Sequence, residues 1–137
     1  MRLYGPSTLK GSRKWGSGKE DIMATRSLFV GWNRPIAGRE KVAVECFNSC
    51  LAYLGKQAGQ KNIESFEPCF LYPHGGDLNG FILVRGDSNK LHTMVEHDEW
   101  RELVMRCTMN VEGFGVIWGT LGSDIATEMT RYQKLIP

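Results

Sequence analysis

Residues 63–87, IESFEPCFLYPHGGDLNGFILVRGD, constrain this chain more than any other stretch. Residues 63–73 mix aromatic and β-favouring side chains (Ile63, Phe66, Phe70, Tyr72) and are interrupted by Pro68. A proline offers no N–H to a strand ladder, so this segment is expected at a sheet edge or at a bulge. Residues 80–85, GFILVR, form an unbroken apolar run. Its short length, β-branched content and flanking Gly80 and Gly86 predict a strand rather than a helix. Residues 74–79 between them, His-Gly-Gly-Asp-Leu-Asn, are types that accept positive φ or make side-chain turns. The stretch therefore reads as a β-hairpin.

Helical periodicity lies on both sides of that hairpin. Over residues 39–59, Ala43, Phe47, Cys50, Leu54 and Ala58 recur at helical spacing and define one apolar stripe. On the other side, Asp87 and Ser88 can cap a helix with Leu91, Met94 and Val95 inward. Asp98 marks a second cap or a break, after which Trp100, Leu103, Val104 and Cys107 form another stripe. A strand is expected at 27–32 (SLFVGW) and another at 111–121, where Phe114, Val116 and Trp118 alternate with Gly113, Gly115, Ile117 and Gly119. Ser123 caps a final helix with Ile125, Met129, Tyr132 and Ile136 on one side.

The order β-α-β-β-α-β plus a helix predicts an α+β fold, the ferredoxin-like split βαβ arrangement with a four-stranded antiparallel sheet. Right-handed crossovers place both main helices on one face of it. The other face should alternate with polar residues, yet SLFVGW, GFILVR and FGVIW are apolar at nearly every position. The C-terminal helix can cover part of that face, whereas the sheet of a second copy would cover all of it. A homodimer is the expected state.

The chain has 137 residues, which reads as one domain at 27–137 behind a flexible leader at 1–26. Met23 opens MATRSLFVGW, a natural start before the first strand, so the leader reads as an upstream extension or a non-native addition. It holds six Lys/Arg against Glu20 and Asp21, which leaves the rest of a chain of formal charge +2 slightly acidic. A basic arm with Tyr4 and Trp15 stacking on nucleic acid is the alternative for the leader, but its charges are scattered, and no nucleic-acid partner is expected. No signal peptide or apolar run of about 20 residues is present, so no membrane partner is expected and a cytoplasmic location is the default. The four cysteines, 46, 50, 69 and 107, show no zinc-site spacing and read as buried thiols, with no metal.

The segments FVGWNRP, ESFEPCFLYPHGGDLNGFILVRGD and EWRELV…VEGFGV, with the element order and two-sided strands, resemble the dimeric α/β-barrel superfamily over residues 27–137. They look like small uncharacterised members near the antibiotic-biosynthesis monooxygenase-like, EthD-like and YCII-related groups. The resemblance implies two ferredoxin-like subunits packed sheet to sheet, and an apolar cavity between sheet and helices that takes small apolar molecules. Haem-degrading members use a histidine ligand with a supporting asparagine. No such pair is recognisable here, nor is the YCII-like His–Asp arrangement, and no cofactor is expected.

Among ionisable groups, His74 on the hairpin loop and Glu67 on the preceding strand are the candidate acid/base residues. Histidine titrates near neutral pH and Asp77 and Asn79 are close in sequence; the alternative reading is that all three simply shape and solvate a turn. Candidate ligand-binding residues are Trp32, Phe66, Phe70, Tyr72, Phe81, Arg85 and Trp118, the aromatics on or beside the sheet with one cation at a strand end. Glu64, Asn33 and Arg34 are further polar candidates, and Arg85 and Glu67 are a possible cross-strand pair. Two functions follow: a small-molecule-binding dimer with an apolar cavity, or a cofactor-free enzyme of monooxygenase, isomerase or decarboxylase type using His74 or Glu67.

Overall fold

A computed structural model describes residues 24–137. The leader expected at 1–26, with its basic arm, lies outside the described residues except for its last three positions, of which Arg26 already begins the first strand. The elements are β1 (Arg26–Trp32), β2 (Arg34–Pro35), α1 (Glu40–Gly59), β3 (Ser65–Phe70), β4 (Gly80–Gly86), α2 (Ser88–Glu96), α3 (Asp98–Asn110), β5 (Val111–Glu112), β6 (Gly115–Thr120) and α4 (Ser123–Leu135). The main sheet runs β3-β4-β1-β6 with every pair antiparallel. Pro68 lies on β3, at the edge where its missing N–H costs least.

Strand register sorts the side chains into two sets. Leu28 faces Val84 and Trp118, and Val30 faces Ile82 and Val116, so these residues share the face packed by the helices. Leu28, Val30, Ile82 and Val84 are almost wholly buried there. They meet Cys46, Cys50 and Leu54 of α1, Leu91 and Met94 of α2, and Trp100, Leu103 and Cys107 of α3 in one core. The α1 stripe is wider than its sequence spacing indicates, because Cys46, Tyr53 and Gln57 are buried as well. The break foreseen at Asp98 is real: His97 is extended and separates α2 from α3. Asp87 caps α2, its carboxylate accepting from the Lys90 N–H at 3.2 Å.

Two features depart from the sequence expectation. The segment 111–121 is not one strand. Val111–Glu112 pairs with Arg34–Pro35 in a small second sheet, and Gly113, at φ 65°, turns the chain into β6. The final helix is capped at Gly122 without any side-chain bond from Ser123, and it buries no residue. Its Ile125, Met129, Tyr132 and Ile136 are all exposed. Arg26 ties its first turn to β1 through Asp124 at 2.8 Å, and Leu121 donates to the Thr25 carbonyl at 2.8 Å. The α4 helix therefore leaves Ile117 59% exposed on the far side of the sheet, where the stacked Phe29 and Phe81 are half-buried.

Candidate functional site

The site begins with a glycine. Trp32 ends β1 opposite Gly80, and a Cβ on residue 80 would lie 2.5 Å from the indole ring. The indole can therefore lie flat against the strand and present its other side to α1. It meets Phe47 of α1 edge-on at 5.6 Å and Phe70 of β3 at 6.2 Å, while Phe47 and Phe70 are 5.2 Å apart. These three rings close one end of a cavity of about 350 Å3 between the sheet and α1. Val30 and Ile82 line it from the strands, Ala43 and Val44 from α1, and Val111 and Phe114 from the segment leading into β6. Ala43 and Cys46 are small, which leaves room where bulkier residues would fill the core.

The small second sheet frames this cavity at Pro35 and Val111. Ile36 donates to the Asn110 carbonyl at 3.0 Å, and the Arg39 guanidinium donates to the Met109 carbonyl, so the entry into α1 is tied to the end of α3. Arg34 and Glu112 pair at 3.3 Å on the outside. Both are largely exposed, and such a pair adds little stability.

The lining contains no charged residue. Its heteroatoms are the Trp32 indole nitrogen, the Asn48 amide and three thiols, those of Cys46, Cys50 and Cys107. The Cys50 and Cys107 sulfurs are 3.7 Å apart. Contact with Cys50, followed by burial, pushes the Cys107 thiol well above its ordinary range. Burial also raises Cys46. The Cys46 and Cys107 thiols therefore stay protonated at neutral pH.

The sequence-derived candidates separate in space. Trp32 and Phe70 line the cavity. Phe66 is buried in the core on the same face of the sheet. Trp118 stands at the sheet edge, stacked on His92 at 4.2 Å. Phe81 and Arg85 lie on the opposite face, by register with Gly31 and Ser27. Tyr72 is 89% exposed. Glu67 is exposed and faces Leu83, while Arg85 faces Ser65, so the two charges are diagonal rather than opposite. His74 is held inside its own loop: Nδ1 accepts from the Gly76 N–H at 3.2 Å, and Nε2 sits 2.6 Å from the Leu78 carbonyl. In that arrangement Nδ1 is the acceptor and Nε2 faces a carbonyl oxygen, so both ring nitrogens are occupied within the loop. Glu64 accepts from the Ala24 N–H, and Asn33 accepts from the Asn79 amide. Neither lines the cavity.

The sequence reading missed Val30, Phe47, Asn48 and the three cysteines as cavity residues. For Phe47 and Cys50 a signal existed, since both belong to the α1 stripe with Ala43. A second, polar groove of about 810 Å3 runs between Arg26, Lys61, Lys90, Glu64, Asp87 and Asp124. Several of its groups are engaged with one another, Arg26 with Asp124 and Lys90 with the Lys61 carbonyl. Among the described residues no group of three or more His, Cys, Asp or Glu is disposed to hold a metal ion, and no helix is long and apolar enough to cross a membrane.

Solved structures share this arrangement of strands and helices. One is a dimeric protein of unknown function and ferredoxin-like fold from Bacteroides fragilis NCTC 9343, with 11% identity and a TM-score of 0.54 over 71% of this chain and 96% of that one. The fold is ferredoxin-like. A dimeric ferredoxin-like protein of unknown function from Jannaschia sp. CCS1 matches at 13% identity and a TM-score of 0.51, covering 71% of this chain and 98% of that one. A conserved protein from Methanosarcina mazei Go1 matches at 9% identity and a TM-score of 0.51, covering 70% and 92%. No family model and no curated protein matches the chain.

Proposed function

We propose that this chain is a homodimeric, small-molecule-binding protein of the dimeric α/β-barrel superfamily, near its monooxygenase-like, EthD-like and YCII-related groups, with one apolar cavity per subunit. The observation that carries the reading is the cavity itself. Its volume of about 350 Å3 falls in the lower part of the range for ligand pockets, roughly 300–1,000 Å3. Its lining is aromatic and aliphatic without a charge, and an ion placed there would lose its hydration unpaired. The ligand is therefore small, neutral and predominantly apolar. Two observations support the dimer: the partly exposed apolar face around Phe29, Phe81 and Ile117, and two structural neighbours that are dimeric proteins. Sheet-to-sheet pairing about a two-fold axis is the simplest closed solution. Three buried cysteines kept as free thiols fit a reducing cytoplasm.

The enzyme alternative, with His74 or Glu67 as acid/base, has neither residue in the cavity lining, so binding without catalysis is the better-supported reading. Titration with a neutral fluorescent probe, N-phenyl-1-naphthylamine, tests it. Saturable binding at one probe per subunit is expected. Val44→Trp at the exposed rim and Ala43→Phe at the wall should each abolish it, and His74→Ala should leave it unaltered. Absence of saturable binding, or binding that survives both blocking substitutions in folded protein, would refute the cavity as the site.

A further inference from the structure

The cavity wall carries a feature that a purely apolar ligand does not use. Cys50 of α1 and Cys107 of α3 bring their sulfurs to 3.7 Å, and Cys46 lies one turn before Cys50 on the same helix. All three line the cavity, so a ligand inside it reaches them without the helices separating. Two sulfurs bound at about 2.3 Å to one centre, as in a metal thiolate, stand roughly 3.3–3.8 Å apart at bond angles of about 90–110°. The pair already has that separation.

Charge decides what such a centre can be. The surroundings are apolar, and no cation lines the cavity to stabilise a thiolate. A cation bound by several thiolates leaves net charge in the interior unless the numbers balance, and buried charge is costly. No three His, Cys, Asp or Glu side chains among the described residues are set to hold a metal ion. A ligand that is neutral on entry, needs two sulfurs and leaves a neutral product meets every one of these conditions.

We propose that Cys50 and Cys107 form a dithiol capture site for a neutral trivalent thiol-seeking centre that carries an apolar group, the chemistry of a mono-organoarsenical. The organic group lies in the cavity against Trp32, Phe47 and Phe70, while the arsenic takes the two sulfurs. In its hydrated form the ligand is R–As(OH)2. Two As–O bonds break and two As–S bonds form. Each thiol proton leaves with one hydroxide, so two waters are released and no oxidation state changes. The exchange needs no free thiolate, in keeping with a Cys107 thiol that stays protonated in this wall. Alkylating reagents, which do need thiolate, should react poorly at Cys107, whose thiol is pushed up by contact with Cys50 and by burial.

This inference rests on the cavity reading and adds the ligand's reactive centre to it. The test uses the full chain and phenylarsine oxide as probe, followed by intact-mass and peptide-mapping mass spectrometry under native conditions. One adduct per chain is expected, gaining one phenylarsenic unit and losing two hydrogens, with the arsenic bridging the peptides that contain Cys50 and Cys107. 1,2-Ethanedithiol should release it, and a monothiol at equal sulfur concentration should not. Cys107→Ala, and Cys46→Ala combined with Cys50→Ala, should each weaken capture by about 100-fold or more, because the second bond is then no longer intramolecular. Cys69→Ser should leave capture unchanged. Where either alanine variant fails to fold, the bridged peptides of the unsubstituted protein decide the matter. An adduct mapped to Cys69, or one that forms only in denaturant, overturns the proposal. If the arsenical fails while N-phenyl-1-naphthylamine still binds, the dithiol inference falls and the cavity reading stands. If both fail, both fall.

Discussion

Phe29 and Phe81 stack at 4.8 Å with ring planes 23° apart, half-buried on the face of the sheet opposite the buried core. The pair joins the two central strands, where Phe29 faces Leu83 and Phe81 faces Gly31 by register. Light scattering after size exclusion at micromolar concentration should therefore return about twice the 15.4 kDa chain mass. Phe81→Glu places an unpaired carboxylate in the expected interface and should give a folded monomer. A monomeric unsubstituted chain would remove the dimer proposal.

Gly80 holds Trp32 in place. In Gly80→Ala the new methyl meets the indole at 2.5 Å, and the ring must tilt into the cavity. Overpacking of this kind costs about 1–3 kcal/mol, measurable by urea unfolding. Binding of N-phenyl-1-naphthylamine should fall with it. A loss of stability without any change in binding would show that Trp32 does not shape the ligand space.

Tyr53 is buried on α1 against Trp100, and its hydroxyl has no hydrogen-bond partner among the described residues. An unsatisfied buried hydroxyl costs about 1–3 kcal/mol. Tyr53→Phe keeps the ring contact and removes that cost, so the variant should be as stable as the parent or more stable by up to about 1 kcal/mol. Clear destabilisation would reveal a partner for the hydroxyl.

Cys107 links stability to alkaline pH. Its folded-state pKa is raised above the ordinary value of 9.0 by contact with Cys50 and by burial. The folded chain therefore holds this proton when the unfolded chain has lost it. Its contribution is fully present below pH 9.0 and is lost progressively as pH rises above it. Thermal denaturation from pH 8 to 11 should show a decline that is smaller in Cys107→Ala. Equal slopes would dissociate Cys107 from the effect.

Much of this fold was legible in the chain. The apolar runs at residues 28–30 and 82–84 and the stripes through Leu54, Leu91 and Leu103 are local patterns, the runs assigned to strands by short length and neighbouring glycines and the stripes to helices by period. The order of those elements then determines the sheet order, because crossovers have one hand. The apolar character of Phe29, Phe81 and Ile117 is equally a property of the sequence, and it announced a face needing cover before any coordinate did. The tertiary structure decided what depends on separated segments meeting. Arg34–Pro35 pairs with Val111–Glu112 across the fold, and two-residue strands have no periodicity to detect. Which aromatics bound a cavity was set by how closely α1 approaches the sheet, so Trp32, Phe47 and Phe70 converge while Tyr72 points to water. The pairing of Cys50 with Cys107 spans two helices 57 residues apart. No local spacing encodes that distance, because it is fixed by the packing of α1 against α3 and not by either helix alone.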